Sequence, residues 1–480
     1  MRRNELTVPS EEQPLYVARR KIYPQSVRGR FRTIKWVLLA ITLGIYYLLP
    51  FVRWDRGAGA PDQAVLLDFP GRRFYFFFIE IWPQEVYYIT GLLILAAVAL
   101  FLMNALAGRI WCGYLCPQTV WTDLFYAVER LIEGDRQARL RHANDKPTLE
   151  TVLRKGLKHG VWLTIAWWTG GAWVLYFADA PTLVYQLATF TAPTLAYVWI
   201  GILTFTTYTL AGHMREQVCT YMCPWPRIQA ALTDEDALNV TYRYDRGEPR
   251  GSVKKNAVLK AEGLPAGDCI DCDQCVAVCP TGVDIRKGLQ LDCIQCGLCI
   301  DACDTVMKKI HRSTGLIAYD TDQNIRRRLA GQTPRLRLVR PRTLFYGGLI
   351  VAVGATMLYS LATRTQFSLS VLHDRNPMYV RLSDGHLRNA YTMRVINKQL
   401  QTRTFALSVE GLENADVEAV GSFDKLGGRP LIEVEADRTR EIRVLVTAAQ
   451  PPSGATPLRF VLAPADAGTT ASASDSFQAP

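Results

Sequence analysis

The sequence predicts a multidomain membrane protein: a five-helix α-helical transmembrane region, a cysteine-rich α+β insert between the fourth and fifth spans, and an all-β sandwich at the C-terminal end. Three observations carry this. Apolar runs of bilayer-spanning length recur along 480 residues that are 49% hydrophobic, yet the mean hydropathy is near zero, as expected for apolar spans mixed with polar modules. Most of the 12 cysteines fall in two dense runs. Beyond residue 362 the pattern changes to short alternating segments separated by turn residues.

The five apolar runs are 34–51, 86–107, 161–177, 190–212 and 344–362, each long enough or nearly so to cross a bilayer as a helix. The third is short and rich in tryptophan. The run 65–82 is also aromatic, but Asp68, Arg72, Arg73 and Glu80 interrupt it, so it reads as an interfacial segment. The net charge of +11 fits either nucleic acid or an anionic membrane surface. The basic residues sit beside the apolar runs, which selects membrane lipid and excludes nucleic acid. Arg and Lys crowd residues 18–36, 109–158 and 326–342, whereas 178–189 has neither. The positive-inside rule then puts the N-terminus in the cytoplasm and the region after the fifth span outside, in the periplasm of a bacterial inner membrane. The polar leader and the lack of a small-residue cleavage site speak against a removed signal peptide.

The implied order is a cytoplasmic basic N-terminus (1–33), a region of four spans (34–240), a cytoplasmic cysteine-rich domain and basic linker (241–341), a fifth transmembrane helix (342–362), an exported domain (363–466) and a disordered tail (467–480). All cysteines then lie at or on the cytoplasmic side. Structural disulfides would show the opposite distribution, so these are metal ligands or redox thiols.

"CIDCDQCVAVCP", which begins at Cys269, and "CIQCGLCIDACD", which begins at Cys293, both match C-x2-C-x2-C-x3-C, the spacing with which bacterial dicluster ferredoxins bind two 4Fe-4S clusters. Three thiolates grip one cluster from a single loop, and the fourth cysteine serves the other. Cys269, Cys272, Cys275 and Cys303 should hold one cluster, with Cys293, Cys296, Cys299 and Cys279 holding the second. Zinc sites use separate C-x2-C pairs rather than interlocked runs of four. Asp304 stands where a proline usually follows the last cysteine. A module of this kind moves electrons.

Cys112, Cys116, Cys219 and Cys223 form two C-x3-C-P motifs, "CGYLCP" and "CTYMCP", each at the end of an apolar run. Proline suits the first turn of a helix, so Cys116 and Cys223 should sit at helix N-termini, where the dipole would lower a thiol pKa. The repetition suggests a duplicated unit offering up to four soft sulfurs to Cu(I), zinc or an iron-sulfur centre. Unligated thiols near the headgroups are the bland alternative. His159 and His213 end the third and fourth spans; such a pair is of haem-ligand type, although helix-end histidines are more often surface residues and no C-x-x-C-H motif occurs. His213 also stands close enough to Cys219 to be an extra ligand. No flavin or nicotinamide motif is visible.

The alternating segments "YTMRVIN", "RTFALSVEG", "EIRVLVTA" and "LRFVLA" read as a small immunoglobulin-like sandwich without catalytic residues; His373 and His386 are isolated. The tail "AGTTASASDSFQAP" has the composition of a disordered end.

The layout of two membrane C-x3-C-P motifs, the cysteine module from Cys269 to Cys303 and an exported sandwich resembles the cytochrome c oxidase accessory family called CcoG, FixG or RdxA over nearly the whole chain. The resemblance implies reduction of Cu(II) to Cu(I) during assembly of a cbb-type oxidase, with the oxidase assembly machinery and a copper chaperone or transporter as partners. On that reading the chain is a cupric-reductase type of oxidoreductase, copper is held at Cys112, Cys116, Cys219 and Cys223, the electron donor is open, and so is homodimer formation. A quinol-linked carrier and a copper-binding scaffold are the competing readings.

Overall fold

The computed structural model describes residues 21–480 except 58–59, 145, 147, 400, 423, 437, 450 and 466–469; most of the basic N-terminus lies outside the described residues. The chain divides into two compact units, one of Met1–Pro50, Leu67–Arg72 and Trp82–Gly354, the other of Phe51–Leu66, Arg73–Ile81 and Ala355–Pro480.

The first unit opens with helix α1, Arg30–Leu48. Its buried residues Arg32, Lys35, Leu39 and Leu43 recur at helical spacing on one face, while Val37, Ile41, Ile45 and Leu48 are exposed. Charge points inward and apolar surface outward near its start, the reverse of a water-soluble helix. The segment read as interfacial, which is divided between the two units, forms three short strands, β1 Val65–Asp68, β2 Arg73–Phe76 and β3 Ile79–Ile81. Helices α2 Tyr87–Ala107, α3 Ile110–Tyr114, α4 Pro117–Glu133, α5 Leu149–Val174, α6 Thr194–Thr207 and α7 Trp225–Leu232 follow. Two π-helical segments, Tyr208–Met214 and Val218–Met222, extend α6 toward α7.

Among the described residues four helices are long and apolar enough to cross a membrane: Arg30–Phe51, Pro83–Ala107, Thr194–Met214 and Pro341–Ala362. The expected third span does not join them. Its residues belong to α5, whose first half carries Arg154, Lys155 and Lys158, and that charge lowers the hydropathy of the helix.

The cysteine-rich module is closed by an antiparallel pair, β4 Asn239–Tyr242 and β5 Ile317–Asp320, with Asn239 opposite Asp320 and Tyr242 opposite Ile317. Between them runs α8, Leu298–Lys309. Val240, Ile285, Ile300, Met307, Leu316 and Ile317 form the core of this module. α8 also finishes α1: Gly29 has no side chain to cap that helix, and the Asp301 carboxylate accepts from the backbone N–H of Phe31 at 3.2 Å and of Arg32 at 2.8 Å. A buried carboxylate at a helix start satisfies orphan donors and meets the positive end of the dipole. Asp123 of α4 pairs with Arg32 at 2.8 Å and Lys35 at 3.5 Å, tying α4 to the same end of α1.

After α9, Pro341–Ala362, the second unit forms two five-stranded sheets. One has the order β10-β13-β8-β6 with β7 on β8, the other β11-β12-β9-β14-β15, where β6 is Phe367–His373, β7 Val380–Arg381, β8 Leu387–Asn397, β9 Arg403–Glu410, β10 Asp416–Ala419, β11 Lys425–Leu426, β12 Arg429–Val434, β13 Arg438–Ala448, β14 Gly454–Pro464 and β15 Ala471–Ala479. Tyr391, Met393, Val395, Leu407, Val444 and Phe460 fill the space between the sheets, all fully buried. The alternation that marked these strands places one residue in two inside.

The expected disordered tail is corrected here. Ala471–Ala479 is a strand paired with β14 from Gly454↔Ala479 to Leu462↔Ala471, and Phe477 is fully buried. Serine and alanine suppressed the strand signal, but Ser472 and Ser474 face outward and Phe477 anchors the other face of the strand.

Candidate metal centres

The two cysteine loops curl the same way. Asp271 and Asp273 adopt φ of 54°, and Gln295 and Gly297 adopt 56° and 73°, so each C-x2-C-x2-C run has left-handed residues at matching positions. Alternation of right- and left-handed backbone makes the concave nest that surrounds an anionic cluster. Arg286 braces the first loop by pairing with Asp271, Asp273 and, at 2.7 Å, Asp284.

Each loop encloses its own cavity. Cys269, Cys272, Cys275 and Cys303 line one. Cys279, Cys293, Cys296 and Cys299 line the other, of about 360 Å³, where Cys275 also reaches its wall. The two groups of four expected from spacing each line one hollow, with Cys275 shared between the two linings. Among the described residues no three His, Cys, Asp or Glu side chains converge closely enough for a single ion. Thiols spread around a hollow suit a multi-iron cluster rather than one bare metal. The residues therefore fit two 4Fe-4S groups. Asp304 replaces the usual proline because α8 continues past Cys303 to Lys309, and its carboxylate accepts from Gly315 N–H at 2.7 Å.

The C-x3-C-P cysteines are drawn together. Cys112 lies on α3, Cys116 caps α4, Cys219 sits in the second π-helical segment and Cys223 ends it. No disulfide joins any of the twelve cysteines. Burial pushes Cys112 and Cys219 up to about 12, and in each case neighbouring cysteines of the quartet add to the rise. Cys116 is raised as well, because burial outweighs the N–H groups of Thr119 and Gln118. The expected lowering at this helix N-terminus is therefore reversed: dipole and N–H donors are present, but loss of water dominates. Metal binding here must displace protons.

The first motif is pressed against the second cysteine loop. A Cβ on Gly113 would lie 2.8 Å from the Ile294 carbonyl oxygen and 3.1 Å from the Cys296 α-carbon, so only glycine fits. The Tyr114 hydroxyl donates to the Cys296 carbonyl at 3.0 Å. Arg109 is clamped between the loop and α7: its N–H donates to Gln295 at 2.8 Å and its guanidinium to the carbonyls of Leu291 and, at 2.7 Å, Pro226. Cys112 Sγ donates to Gln229 Oε1 at 3.4 Å. Arg109, Gly113, Tyr114 and Gln229 were missed in the sequence, although the glycine and tyrosine lie inside the quoted motif. A further cavity, about 360 Å³, is lined by Cys219, Glu216, Arg215, Tyr126, Pro280 and Ile294, among others. It lies between the thiol quartet and the second loop.

The remaining histidines do not join these centres. His213 packs on His159, Tyr208 and Trp162. His373 bonds Asn389 at 2.7 Å and His386 pairs with Asp384 at 3.1 Å, both as structural contacts in the sandwich unit.

Comparison with known proteins follows the same division. Residues 214–322 match a family described as a 4Fe-4S dicluster domain, residues 89–134 a 4Fe-4S binding domain, and residues 357–480 the IG-like fold at the C-terminal of FixG. The chain is 49% identical over 460 residues to the nitrogen fixation protein FixG of Rhizobium meliloti, covering 90% of this chain and 87% of that protein. It is 49% identical over 461 residues to protein RdxA of Cereibacter sphaeroides, covering 94% and 95%, and 48% identical to RdxB of the same organism, covering 91% and 90%. A solved FixG-related protein from Vibrio parahaemolyticus aligns with 24% of this chain and 96% of its own length at 27% identity, with a TM-score of 0.20. Identity near one-half across nine-tenths of the sequence shows that the chain belongs to the FixG and RdxA family of membrane-associated iron-sulfur electron-transfer proteins.

Proposed function

We propose that this protein reduces Cu(II) to Cu(I) at Cys112, Cys116, Cys219 and Cys223 for assembly of a cbb-type cytochrome oxidase, with the cysteine module on the cytoplasmic side of a bacterial inner membrane and the sandwich in the periplasm. The observation that carries the reading is the contact of Gly113 and Tyr114 with the Ile294–Cys296 backbone, which sets one thiol pair directly beside the second ferredoxin-type loop. The clusters, when bound, supply single electrons. Cys269, Cys272, Cys275 and Cys303 would hold one, and Cys279, Cys293, Cys296 and Cys299 the other. The quartet's part is to take Cu(II) from solution and favour the softer Cu(I) after it gains one electron. Arg109 and Tyr114 keep the quartet and the loop in register. A copper chaperone or transporter and the oxidase assembly machinery are the partners this chemistry calls for.

The test is anaerobic. Protein reduced with a low-potential donor and freed of excess is mixed with Cu(II), and cluster reoxidation is followed together with Cu(I) capture by a chelator. Stoichiometric Cu(I) in wild type and its loss in C116S/C223S, at unchanged iron content, supports the reading. Clusters that stay reduced in the presence of Cu(II) overturn it.

One observation favours a second reading. The match to a 4Fe-4S binding domain over residues 89–134 spans Cys112 and Cys116, and the quartet is not closed to single-ion distance. On this reading the quartet itself carries an iron-sulfur cluster. Two clusters require about eight iron atoms per chain and three about twelve, so iron analysis of wild type and C116S/C223S separates the two.

A further inference from the structure

The electron donor is the missing part of the scheme, and a cluster of side chains beside the quartet has the chemistry to receive one. Tyr208–Met214 is π-helical and closes the apolar helix Thr194–Met214. On an α-helix, residues five apart diverge; the i→i+5 bonding of a π-helix sets them one turn above each other. Tyr208 and His213 are five apart, and their rings meet at 5.0 Å. His159 joins from α5: its Nδ1 bonds the Tyr208 hydroxyl at 2.9 Å and its ring lies 5.6 Å from that of His213, nearly parallel at 11°. Trp162 forms the back wall, edge-on to both histidines and stacked on Phe125. Trp162 is fully buried, whereas His213 is exposed and His159 half-buried. The group is therefore an aromatic and imidazole box, closed behind by Trp162 and open at His213.

Behind the wall lies a buried ionic chain. Lys158, next to His159, pairs with Glu133 at 2.8 Å, and Glu129 pairs with Arg139 at 2.7 Å and Arg215 at 2.5 Å. Glu133 and Lys158 also line a wide cavity of about 710 Å³ with Lys21, Arg139, His142 and Lys155, which gives released protons a polar exit. In the other direction Arg215 and Glu216 lead from His213 into the cavity that holds Cys219 and borders the second cysteine loop.

We infer that His159, Tyr208 and His213 form the site at which a membrane quinol is oxidised to feed this protein with electrons. The step balances as the loss of two hydroxyl protons and two electrons from the quinol, which leaves as quinone. Each O–H bond breaks toward an imidazole; with Nδ1–H of His159 donated to Tyr208, Nε2 is its acceptor. The two electrons would be taken up singly by the oxidised 4Fe-4S groups that Cys269, Cys272, Cys275 and Cys303 and Cys279, Cys293, Cys296 and Cys299 would hold, one electron each. The inference rests on the electron-transfer reading above, not on copper being the final acceptor.

The full-length protein in lipid nanodiscs is illuminated with an azido-substituted short-chain ubiquinone, and labelled peptides are mapped by mass spectrometry. Label is expected on the peptides containing His159 and Tyr208–Met214, reduced at least tenfold by His213→Leu and by His159→Gln at unchanged iron content. Bleaching of the clusters by a short-chain ubiquinol should slow at least tenfold in the same variants, while dithionite still reduces the clusters fully. Label that maps elsewhere, or that persists in both variants, overturns the site. A haem absorbance band lost in either histidine variant also overturns it, in favour of a haem pair. Quinol bleaching without Cu(I) formation removes the copper reading and leaves this one standing.

Discussion

Tyr114 donates its hydroxyl to the Cys296 carbonyl at 3.0 Å, joining the first C-x3-C-P motif to the loop that supplies three sulfurs of the second cluster hollow. Two elements far apart in the chain are thereby one piece of structure, and its tolerance to change can be measured.

Gly113 is the closest point of that joint. Gly113→Ala places a methyl 2.8 Å from a backbone oxygen and 3.1 Å from a backbone α-carbon, neither of which can swing away. Overpacking of this kind costs about 1–3 kcal/mol. Its expected signature is a lowered melting temperature together with an altered EPR signal of the cluster held by Cys293, Cys296 and Cys299, the other signal being unchanged. An unchanged signal in both clusters would mean that the joint is loose in solution.

The two hollows predict a non-additive set of ligand variants. Cys303→Ser should remove the same cluster as Cys269→Ser, although Cys303 follows the second motif, because both sulfurs line one cavity. The double variant should lose no more iron than either single one, about four atoms per chain. Iron loss that adds up in the double variant would show that each motif serves its own cluster.

Asp320 predicts a pH dependence. Burial works against its ionisation, but Arg328, the Thr321 N–H and Arg243 outweigh it and hold the carboxyl below its ordinary 3.8. A depressed folded-state pKa gives stability that is present above the ordinary value and lost as pH falls through the folded one. The stability advantage of wild type over Asp320→Asn in chemical unfolding should therefore stay level from about pH 7 to about pH 5. An advantage that shrinks across this window would place the carboxyl above its ordinary range.

The last strand predicts an effect on the sandwich. Phe477 is fully buried among the core residues of the second unit, and truncation of such a side chain costs about 3–5 kcal/mol. Phe477→Ala should lower the unfolding midpoint of the sandwich sharply, whereas Ser474→Ala should not. Equal midpoints would mean that β15 is dispensable.

Much of this was legible in the sequence, and the omissions have physical causes. Cysteine spacing grouped eight cysteines as the linings of two hollows group them, because loop reach leaves little choice over two or three residues. Alternation found the sandwich strands because one residue in two must be apolar. It missed β15, where Phe477 alone carries the signal and small residues fill the rest. The third span is not among the four apolar helices because Trp167, Trp168 and Trp173 add little hydropathy and Lys155 and Lys158 stand on the same helix. The thiol pKa direction failed for a deeper reason: a helix start is visible in the letters, but desolvation depends on what packs around it. Arg109 and Gln229 likewise owe their roles to neighbours more than one hundred positions away.

The carboxylate that completes the start of α1 comes from Asp301, 269 positions after Arg32. A ribosome emits the first membrane helix long before it emits that acid, so the helix enters the bilayer with two backbone donors still waiting. They are satisfied when α8 forms, and α8 carries Cys299 and Cys303. The start of the first apolar helix and the helix that carries two of the module's cysteines are thus completed together, although 269 positions separate the residues that join them.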